Sequence, residues 1–397
     1  MKQLMNVLLI FLITFSSCSN DDDSIVNVTN EESLTKRLNQ ILVNSNFPGF
    51  TIGVIKDGEN TYQESFGFQN LENKDSYSNQ TLQPIGSISK TFIGVATVKA
   101  IQLGYFTLDT PINNILSEPI LNPKNPSSII RIKHLVNHTS GLIDEDQTYL
   151  ESYYILENQT ISPDANQLMQ NFGITQRTPK TLEEFIKAYY YENGDYYSTD
   201  NFIGNEPGSL ESYTNVGASL MAFLIEQTSG IPYQEFVKTH ILDPLEMNNT
   251  SFTYQLPSDN YAILYFNKNL PLPLYNLESF PDGALKTSNE DIMKYFINML
   301  KGQQGKSTVL FPKSYYELLF EATSSNYTIF WDIDPGVDAF GHSGGDPGLT
   351  TELHFSGAFN AGFFMLSNYD TSTDEHEEHY EEIISQINES INKYLSN

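Results

Sequence analysis

Residues 86–112 read GSISKTFIGVATVKAIQLGYFTLDTPI and place Ser87 and Lys90 three positions apart at the start of a predicted helix. A serine hydroxyl is a weak nucleophile until a neighbouring group accepts its proton. Because residues three apart share one face of a helix, the Lys90 amine can approach the Ser87 hydroxyl. The N–H groups at a helix N-terminus also favour developing negative charge. The segment therefore predicts an activated serine nucleophile.

The same Ser-x-x-Lys spacing occurs again at Ser33 and Lys36. This second copy lies in an amphipathic helix that a capping box predicts to begin at residues 29–32. Its serine and lysine are expected on the solvent-facing side of that helix. We therefore assign the nucleophile to Ser87 and not to Ser33.

Tyr213 and Asn215 form the second candidate pair. They follow a Pro-Gly turn at 207–208 and open a predicted helix, which would present both side chains at a helix start. A nearby lysine cation can lower the pKa of a phenol and make it a usable base, and an asparagine amide can hold a substrate carbonyl. The Tyr-x-Asn copies at 191–193 and 265–267 lack this setting. The alternative is a buried tyrosine followed by an asparagine cap.

The third candidate is the glycine-rich run 341–345, which reads GHSGG and precedes a strand-like segment at 350–355. Glycines allow a substrate backbone to lie close to a strand, and a backbone N–H at this edge can complete an oxyanion hole. The alternative interpretation is a glycine-rich turn with an incidental histidine.

In this order, the three motifs resemble those of the class C β-lactamases and of the DD-peptidases and esterases related to them. The resemblance covers roughly residues 31–397. It includes five longer stretches, at 86–112, 132–142, 206–230, 241–252 and 282–292. It implies a fold of the α/β (α+β) class, β-lactamase/transpeptidase-like, with the active site at the junction of a sheet and a helical lobe.

The resemblance also implies a role for each motif residue. Ser87 resembles the acylated nucleophile, with Lys90 and Tyr213 as the pair that shuttles its proton. The backbone N–H groups of Ser87 and Gly345 would form the oxyanion hole. The implied substrate-binding residues are Asn215, His342, Ser343 and Gly344.

His342 departs from the β-lactamases, which carry the lysine of Lys-Thr-Gly at this point. A neutral imidazole lacks the fixed charge that helps to hold a substrate carboxylate. The His-x-Gly form is similar to that of the family's DD-carboxypeptidases, D-aminopeptidases and esterases. The interval from Ser87 to Tyr213 is also long for the family, and we attribute it to residues 143–206, which we interpret as an insertion or a cleft-covering region.

Local patterns predict further elements along the chain. They are a hairpin of 50–55 and 61–66 around Asp57-Gly58, helices at 181–191, 216–228 and 289–300, strands at 350–355 and 361–367, and a last helix with an apolar stripe from Tyr380 to Leu395. We therefore expect an antiparallel sheet flanked by the N- and C-terminal helices, plus an inserted, mainly helical lobe at about 104–285. The hydrolase domain would span 31–397.

The N-terminus has the layout of an export signal. Lys2 precedes an apolar run at 7–15, and Cys18, the only cysteine in the sequence, follows soon after. Because this resembles a bacterial lipobox, we predict a signal peptide at 1–17, a lipidated Cys18 and an acidic flexible tether at 18–30. The protein would then be an exported, membrane-anchored lipoprotein of the cell envelope; secretion without an anchor is the alternative. A single cysteine excludes a disulfide framework within the chain and a zinc-cysteine site.

The formal net charge is −28, from 21 basic and 49 acidic residues. Such a surface repels nucleic acids and anionic lipids, so we expect no nucleic-acid partner and membrane contact only through the N-terminal lipid. We expect a monomer with a small-molecule or peptide substrate and no cofactor. We interpret His138 as a core or turn-supporting residue, and the run EHEEH at 375–379 as a solvated helix face and not a metal site.

These features predict a serine hydrolase that forms an acyl-enzyme and cleaves amide, peptide or ester bonds in the cell envelope. We place DD-carboxypeptidase-like activity ahead of β-lactamase-like activity. An esterase or D-aminopeptidase of the same family is the first alternative. A non-catalytic penicillin-binding or surface receptor module is the second, and the lysine beside Ser87 argues against it.

Overall fold

A computed structural model describes residues 26–256, 258 and 260–397. The predicted signal peptide at 1–17, the lipidation site Cys18 and the tether as far as residue 25 lie outside these residues. The packed chain begins before residue 31, where we expected the domain to start, because Val28 is only 2% exposed and belongs to a hydrophobic cluster. No helix in the described part of the chain is both long enough and apolar enough to cross a membrane.

The helices are numbered in chain order over the described ranges. They are α1 (Glu31–Val43), α2 (Ser89–Gln102), α3 (Ile132–Val136), α4 (Asp146–Leu150), α5 (Pro163–Asn171), α6 (Leu182–Tyr190), α7 (Asn215–Ser229), α8 (Tyr233–Val237), α9 (Asn289–Gln303), α10 (Lys313–Phe320) and α11 (Asp374–Ser396). Two short 3-10 turns, Gly86–Ile88 and Phe280–Asp282, lie beside the candidate site.

The strands are numbered in the same way. They are β1 (Gly49–Lys56), β2 (Glu59–Asn70), β3 (Asp75–Ser76), β4 (Gln83–Pro84), β5 (Tyr153–Ile155), β6 (Thr175–Gln176), β7 (Tyr265–Asn267), β8 (Leu270–Pro271), β9 (Tyr275–Leu277), β10 (Lys286–Thr287), β11 (Asp332–Asp334), β12 (Ala339–Asp346), β13 (Leu349–Ser356) and β14 (Ala361–Ser367).

The main sheet has the strand order β11-β12-β13-β14-β1-β2-β3, and its neighbouring strands are antiparallel. The first strand of this sheet in chain order, β1, pairs with the last strand, β14, and Phe50 lies opposite Ser367. The predicted antiparallel sheet is therefore confirmed. The β1–β2 hairpin turns at Asp57 and Gly58, whose positive φ values of 56° and 79° suit the type I′ turn that Asp-Gly favours.

Helices α1 and α11 pack together against this sheet and share one hydrophobic cluster with it. The predicted flanking terminal helices are thus confirmed. The capping prediction is wrong by one residue, because the N-cap of α1 is Asn30: its side chain accepts a hydrogen bond from the Ser33 N–H at 2.9 Å, and Ser33 Oγ accepts one from the Asn30 N–H at 3.0 Å. At the N-cap position of a helix, asparagine is at least as favourable as threonine. Ser33 is therefore part of a helix cap.

The helical lobe is built around α2 and α7, which pack on each other. Most residues of both helices are buried, so their apolar residues lie on all sides and not in a single stripe. The lobe also contains a small sheet of order β6-β5-β9, which the sequence pattern did not predict because its strands have only two or three residues. The region 143–206 supplies α4, β5, α5, β6 and α6 to this lobe.

Candidate active site

Ser87 lies in the 3-10 turn Gly86–Ile88 that leads into α2, where the main sheet meets the helical lobe. The side chain of Lys90, one turn further along, is completely buried. Its Nζ donates to Ser87 Oγ at 3.0 Å and to the backbone oxygen of Asp282 at 2.8 Å. The structure thus brings together the serine and the lysine that the spacing singles out.

Burial lowers the pKa of the Lys90 amine below its ordinary value of 10.5. Nearby negative charges act in the opposite direction and favour the ammonium form. Those charges belong to Asp282, Asp144, Asp346 and Asp332, in decreasing order of effect. The lowered pKa makes the neutral amine accessible nearer to neutral pH, as a general base requires.

Tyr213 lies just before α7, and its ring centroid is 5.1 Å from the Nζ of Lys90. Burial raises the pKa of its phenol well above 10, and a hydrogen bond with Ser87 opposes that change only in part. The prediction that the lysine cation lowers this pKa is therefore wrong, because loss of hydration dominates. Tyr213 stays a neutral phenol, which can donate a proton.

Two side chains, the partly buried Asp144 and the buried His138, hold the Tyr213–Asn215 segment in place. The Asp144 carboxylate accepts hydrogen bonds from Thr214 Oγ1 at 2.7 Å and from the Asn215 N–H at 2.6 Å, at the N-terminus of α7. His138 Nδ1 accepts from the Thr214 N–H at 3.3 Å, and its ring lies 4.6 Å from that of Tyr213. Sequence reasoning missed Asp144, and it interpreted His138 as a supporting residue.

His138 is itself neutral. Its pKa is well below 6.5, first because it is buried and then because Lys90 is nearby. Its backbone has a positive φ of 56°, in the turn that follows α3. These features agree with a turn-supporting role next to Tyr213, as predicted.

The glycine-rich run 341–345 lies inside β12 and is not a turn. Its strand passes so close to the serine turn that a Cβ on Gly344 would lie 3.0 Å from the Ser87 nitrogen, and a Cβ on Gly86 would lie 3.0 Å from the Gly345 nitrogen. Gly86 also has a positive φ of 53°. Glycine at both positions therefore lets the Ser87 and Gly345 N–H groups approach each other, as an oxyanion hole requires.

His342 lies near the other end of this run and is only 5% exposed. Its Nδ1 is 2.6 Å from the backbone oxygen of Ser343, and its ring centroid is 6.2 Å from that of Tyr213. Burial, and then the charge of Lys90, lower its pKa to about 3. The imidazole is therefore neutral at physiological pH, so this end of β12 carries no fixed positive charge.

Two aspartates, which sequence reasoning did not identify, complete the floor of the site: Asp282 is completely buried and Asp346 is partly buried. Asp282 accepts hydrogen bonds from Tyr149 and Ser219, and burial raises its pKa to about 7. Asp346, the last residue of β12, accepts one from Tyr153, and burial raises its pKa to about 6. Both tyrosines belong to the region 143–206, so the predicted insertion reaches the site.

The histidines of the run at 375–379 contact the protein itself. His379 Nε2 accepts from the Asn46 N–H at 3.0 Å, and His376 Nδ1 lies 3.4 Å from an Asp370 carboxylate oxygen. Within the described ranges, no group of three or more His, Cys, Asp or Glu side chains is arranged to hold a metal ion.

Comparison with known proteins places these observations in context. A family model described as Beta-lactamase matches residues 33–387. Protein flp of Staphylococcus aureus strain MW2 is 22% identical to this chain over 381 residues, which are 94% of this chain and 67% of that protein. The chain thus spans about two thirds of the length of that relative.

Solved structures share the fold. The octameric penicillin-binding protein homologue from Pyrococcus abyssi superposes with a TM-score of 0.69 at 24% identity, over 89% of this chain and 77% of that one. The penicillin binding protein from Bacillus halodurans gives 0.64 at 20% identity, over 88% and 99%. The octameric state belongs to the first of those proteins, and a monomer stays our prediction for this chain.

Proposed function

The chain belongs to the β-lactamase family and is a β-lactamase-related serine hydrolase, and we propose that it acts through an acyl-enzyme formed on Ser87. The observation that carries this proposal is the 3.0 Å hydrogen bond between a completely buried Lys90 amine and the Ser87 hydroxyl. A small-molecule substrate suits this family. A pure binding module would have no use for a buried base in contact with the serine.

Acylation begins when neutral Lys90 takes the proton of Ser87 and Oγ attacks the substrate carbonyl carbon. The N–H groups of Ser87 and Gly345 stabilise the resulting oxyanion. Tyr213 then donates its phenolic proton to the leaving group as the scissile bond breaks, and Lys90 returns a proton to Tyr213. Attack of water on the ester releases the acid and restores the serine, with the same groups moving the proton.

Two substrate classes fit this chemistry. DD-carboxypeptidase-like and β-lactamase-like substrates carry a carboxylate, which in the β-lactamases a lysine at this position helps to hold. A specific observation favours the second candidate, an esterase or D-aminopeptidase, because buried His342 is neutral and supplies no such charge. We therefore propose esters and amides that lack this carboxylate ahead of β-lactams.

A fluorescent penicillin followed by an unlabelled chase, run beside a p-nitrophenyl ester assay, tests this proposal. Ester turnover without a stable penicillin label supports the second candidate. A stable label supports a peptidase, and a rapidly lost label supports a β-lactamase. Absence of any label together with absence of ester hydrolysis would overturn the acyl-enzyme proposal.

We also propose that the protein is exported and anchored in the bacterial cell envelope through lipidated Cys18, with no other membrane contact. The layout of residues 1–18 supports this proposal. The strongly acidic composition agrees with it, because a net charge of −28 disfavours direct binding to anionic lipids.

A further inference from the structure

We propose that Asp346 makes the site specific for acyl groups that carry a protonated amine next to the reacting carbonyl, as in esters and amides of amino acids with a free amino group. This inference rests on the proposed acyl-enzyme at Ser87. It deepens the second candidate by naming the residue that would select a free amino group.

The direction of β12 determines which part of the substrate meets Asp346. The proton donor Tyr213 lies beside His342, so the leaving group must lie near that end of the strand. The carbonyl oxygen would be held at the Gly345 N–H. The acyl group therefore extends toward the next residue, Asp346, about 3.3 Å further along the strand.

A second set of contacts places the same carboxylate on the floor of the site. The backbone oxygen of Asp282 accepts a hydrogen bond from Lys90, and Gly283 follows directly. A Cβ on Gly283 would lie 3.4 Å from Asp346 Oδ2. Asp346 is thus one residue from the oxyanion donor along β12, and it packs against the loop that contacts the catalytic lysine.

The carboxylate is held in a fixed position. The Tyr153 hydroxyl donates to Asp346 Oδ1, and the Tyr275 hydroxyl donates to the backbone oxygen of the following residue, Pro347, at 2.8 Å. Asp346 remains partly exposed, unlike the completely buried Asp282. A preorganised carboxylate that is not completely removed from solvent is suited to bind a cation.

Among the described residues, no lysine, arginine or histidine forms an ion pair with Asp346 that would neutralise it. The nearby Lys286 amine instead donates to Phe252 O at 2.9 Å and to Asn276 Oδ1 at 2.7 Å, and it lies 4.5 Å from the Tyr254 ring centroid. Burial lowers the pKa of this lysine well below 10.5. The Asp346 carboxylate therefore has no direct cationic partner among these residues, although the charges of Lys90 and Lys286 act on it from a greater distance.

The test compares alanine p-nitroanilide with its N-acetyl counterpart, using both enantiomers of each. Wild-type enzyme is expected to favour the free amine by at least about tenfold in kcat/KM. The Asp346→Asn variant should lower that preference by about tenfold to a hundredfold, the usual effect of a partly desolvated charge pair. Glu72→Gln, which removes an equal charge from an exposed turn, should leave the preference unchanged.

A second variant, Tyr153→Phe, keeps the carboxylate but removes its hydrogen bond and should lower the preference part of the way. An unchanged preference in both variants, or a wild-type preference for the acetylated substrate, would overturn the inference. If neither anilide is cleaved while a penicillin or an ester still acylates Ser87, the inference about Asp346 is also overturned. The acyl-enzyme proposal survives in that case. No turnover and no acylation by any of these reagents would overturn both.

Discussion

The buried amine of Lys90 donates a hydrogen bond to the backbone oxygen of Asp282 at 2.8 Å, and the charge of the Asp282 side chain is the largest of those that favour the ammonium form. Residues distant in sequence therefore set the protonation state of the candidate base. This relationship determines the pH range in which Ser87 can be activated.

Asp282→Asn should move the acid limb of the kcat/KM profile to lower pH. Lys90 acts as a base only when neutral, so the rate is present above its pKa and lost as the pH falls through it. Removing the Asp282 charge, the largest of those that favour the ammonium form, lowers the pKa of Lys90 further. Burial raises the pKa of Asp282 to about 7, so this side chain is charged mainly above pH 7. The difference between the variant and wild-type profiles is therefore expected above pH 7. A limb that is unmoved, or that moves upward, would contradict this account; Glu72→Gln is the matched control.

Lys90→Ala should reduce kcat by about 10⁴-fold or more, nearly as much as Ser87→Ala, and the double variant should be scarcely slower. Groups that act as one catalytic unit are strongly non-additive. Lys36→Ala changes the lysine of the other Ser-x-x-Lys copy and should have no effect on steady-state kinetics. Additive losses in the double variant would mean that Lys90 has only a structural role.

His342→Lys should raise kcat/KM for a carboxylate-bearing β-lactam relative to a neutral p-nitrophenyl ester by about tenfold to a hundredfold. The added cation would lie where the neutral imidazole now lies, and its effect should shrink with added salt. The uncharged His342→Gln is the control for loss of the ring. If the ratio of the two substrates does not change, another group already holds the carboxylate; if both rates collapse, His342 takes part in the chemistry.

Cys18→Ala should move the protein from the membrane fraction to a soluble fraction, or cause it to accumulate unprocessed. The expectation follows from the export-like layout of residues 1–18 and from the presence of a single cysteine. Detergent phase partitioning of wild type and variant measures it. Equal partitioning of the two proteins would refute the lipid anchor.

Local patterns predicted the elements whose signals are contained in a short segment. The Asp57-Gly58 hairpin, the strand at 361–367 and the last helix are examples, since turn chemistry and side-chain periodicity determine each of them. The run 341–345 was harder to interpret, because glycines occur both in turns and where two backbones touch, and only the contact with the serine turn decides between them.

The acidic floor of the site could not be predicted, because long-range packing creates it. Tyr153 and Asp346 are 193 positions apart in the sequence, yet they share a hydrogen bond. The prediction of a lowered Tyr213 pKa failed for a related reason. The sequence placed a cation near the phenol but gave no measure of how far burial removes the phenol from water. Burial determines these properties, and burial is a feature of the whole fold.

The most direct measurement of the central claim is the identity of the serine that becomes covalently modified. A fluorophosphonate reacts with activated serines whatever the natural substrate is, and intact-mass analysis with peptide mapping locates the adduct. We expect one adduct on Ser87 in the wild type and in Ser33→Ala. We expect none in Ser87→Ala, provided that this variant is folded like the wild type. An adduct that persists in Ser87→Ala, or that is lost in Ser33→Ala, would contradict the assignment of Ser87 as the nucleophile.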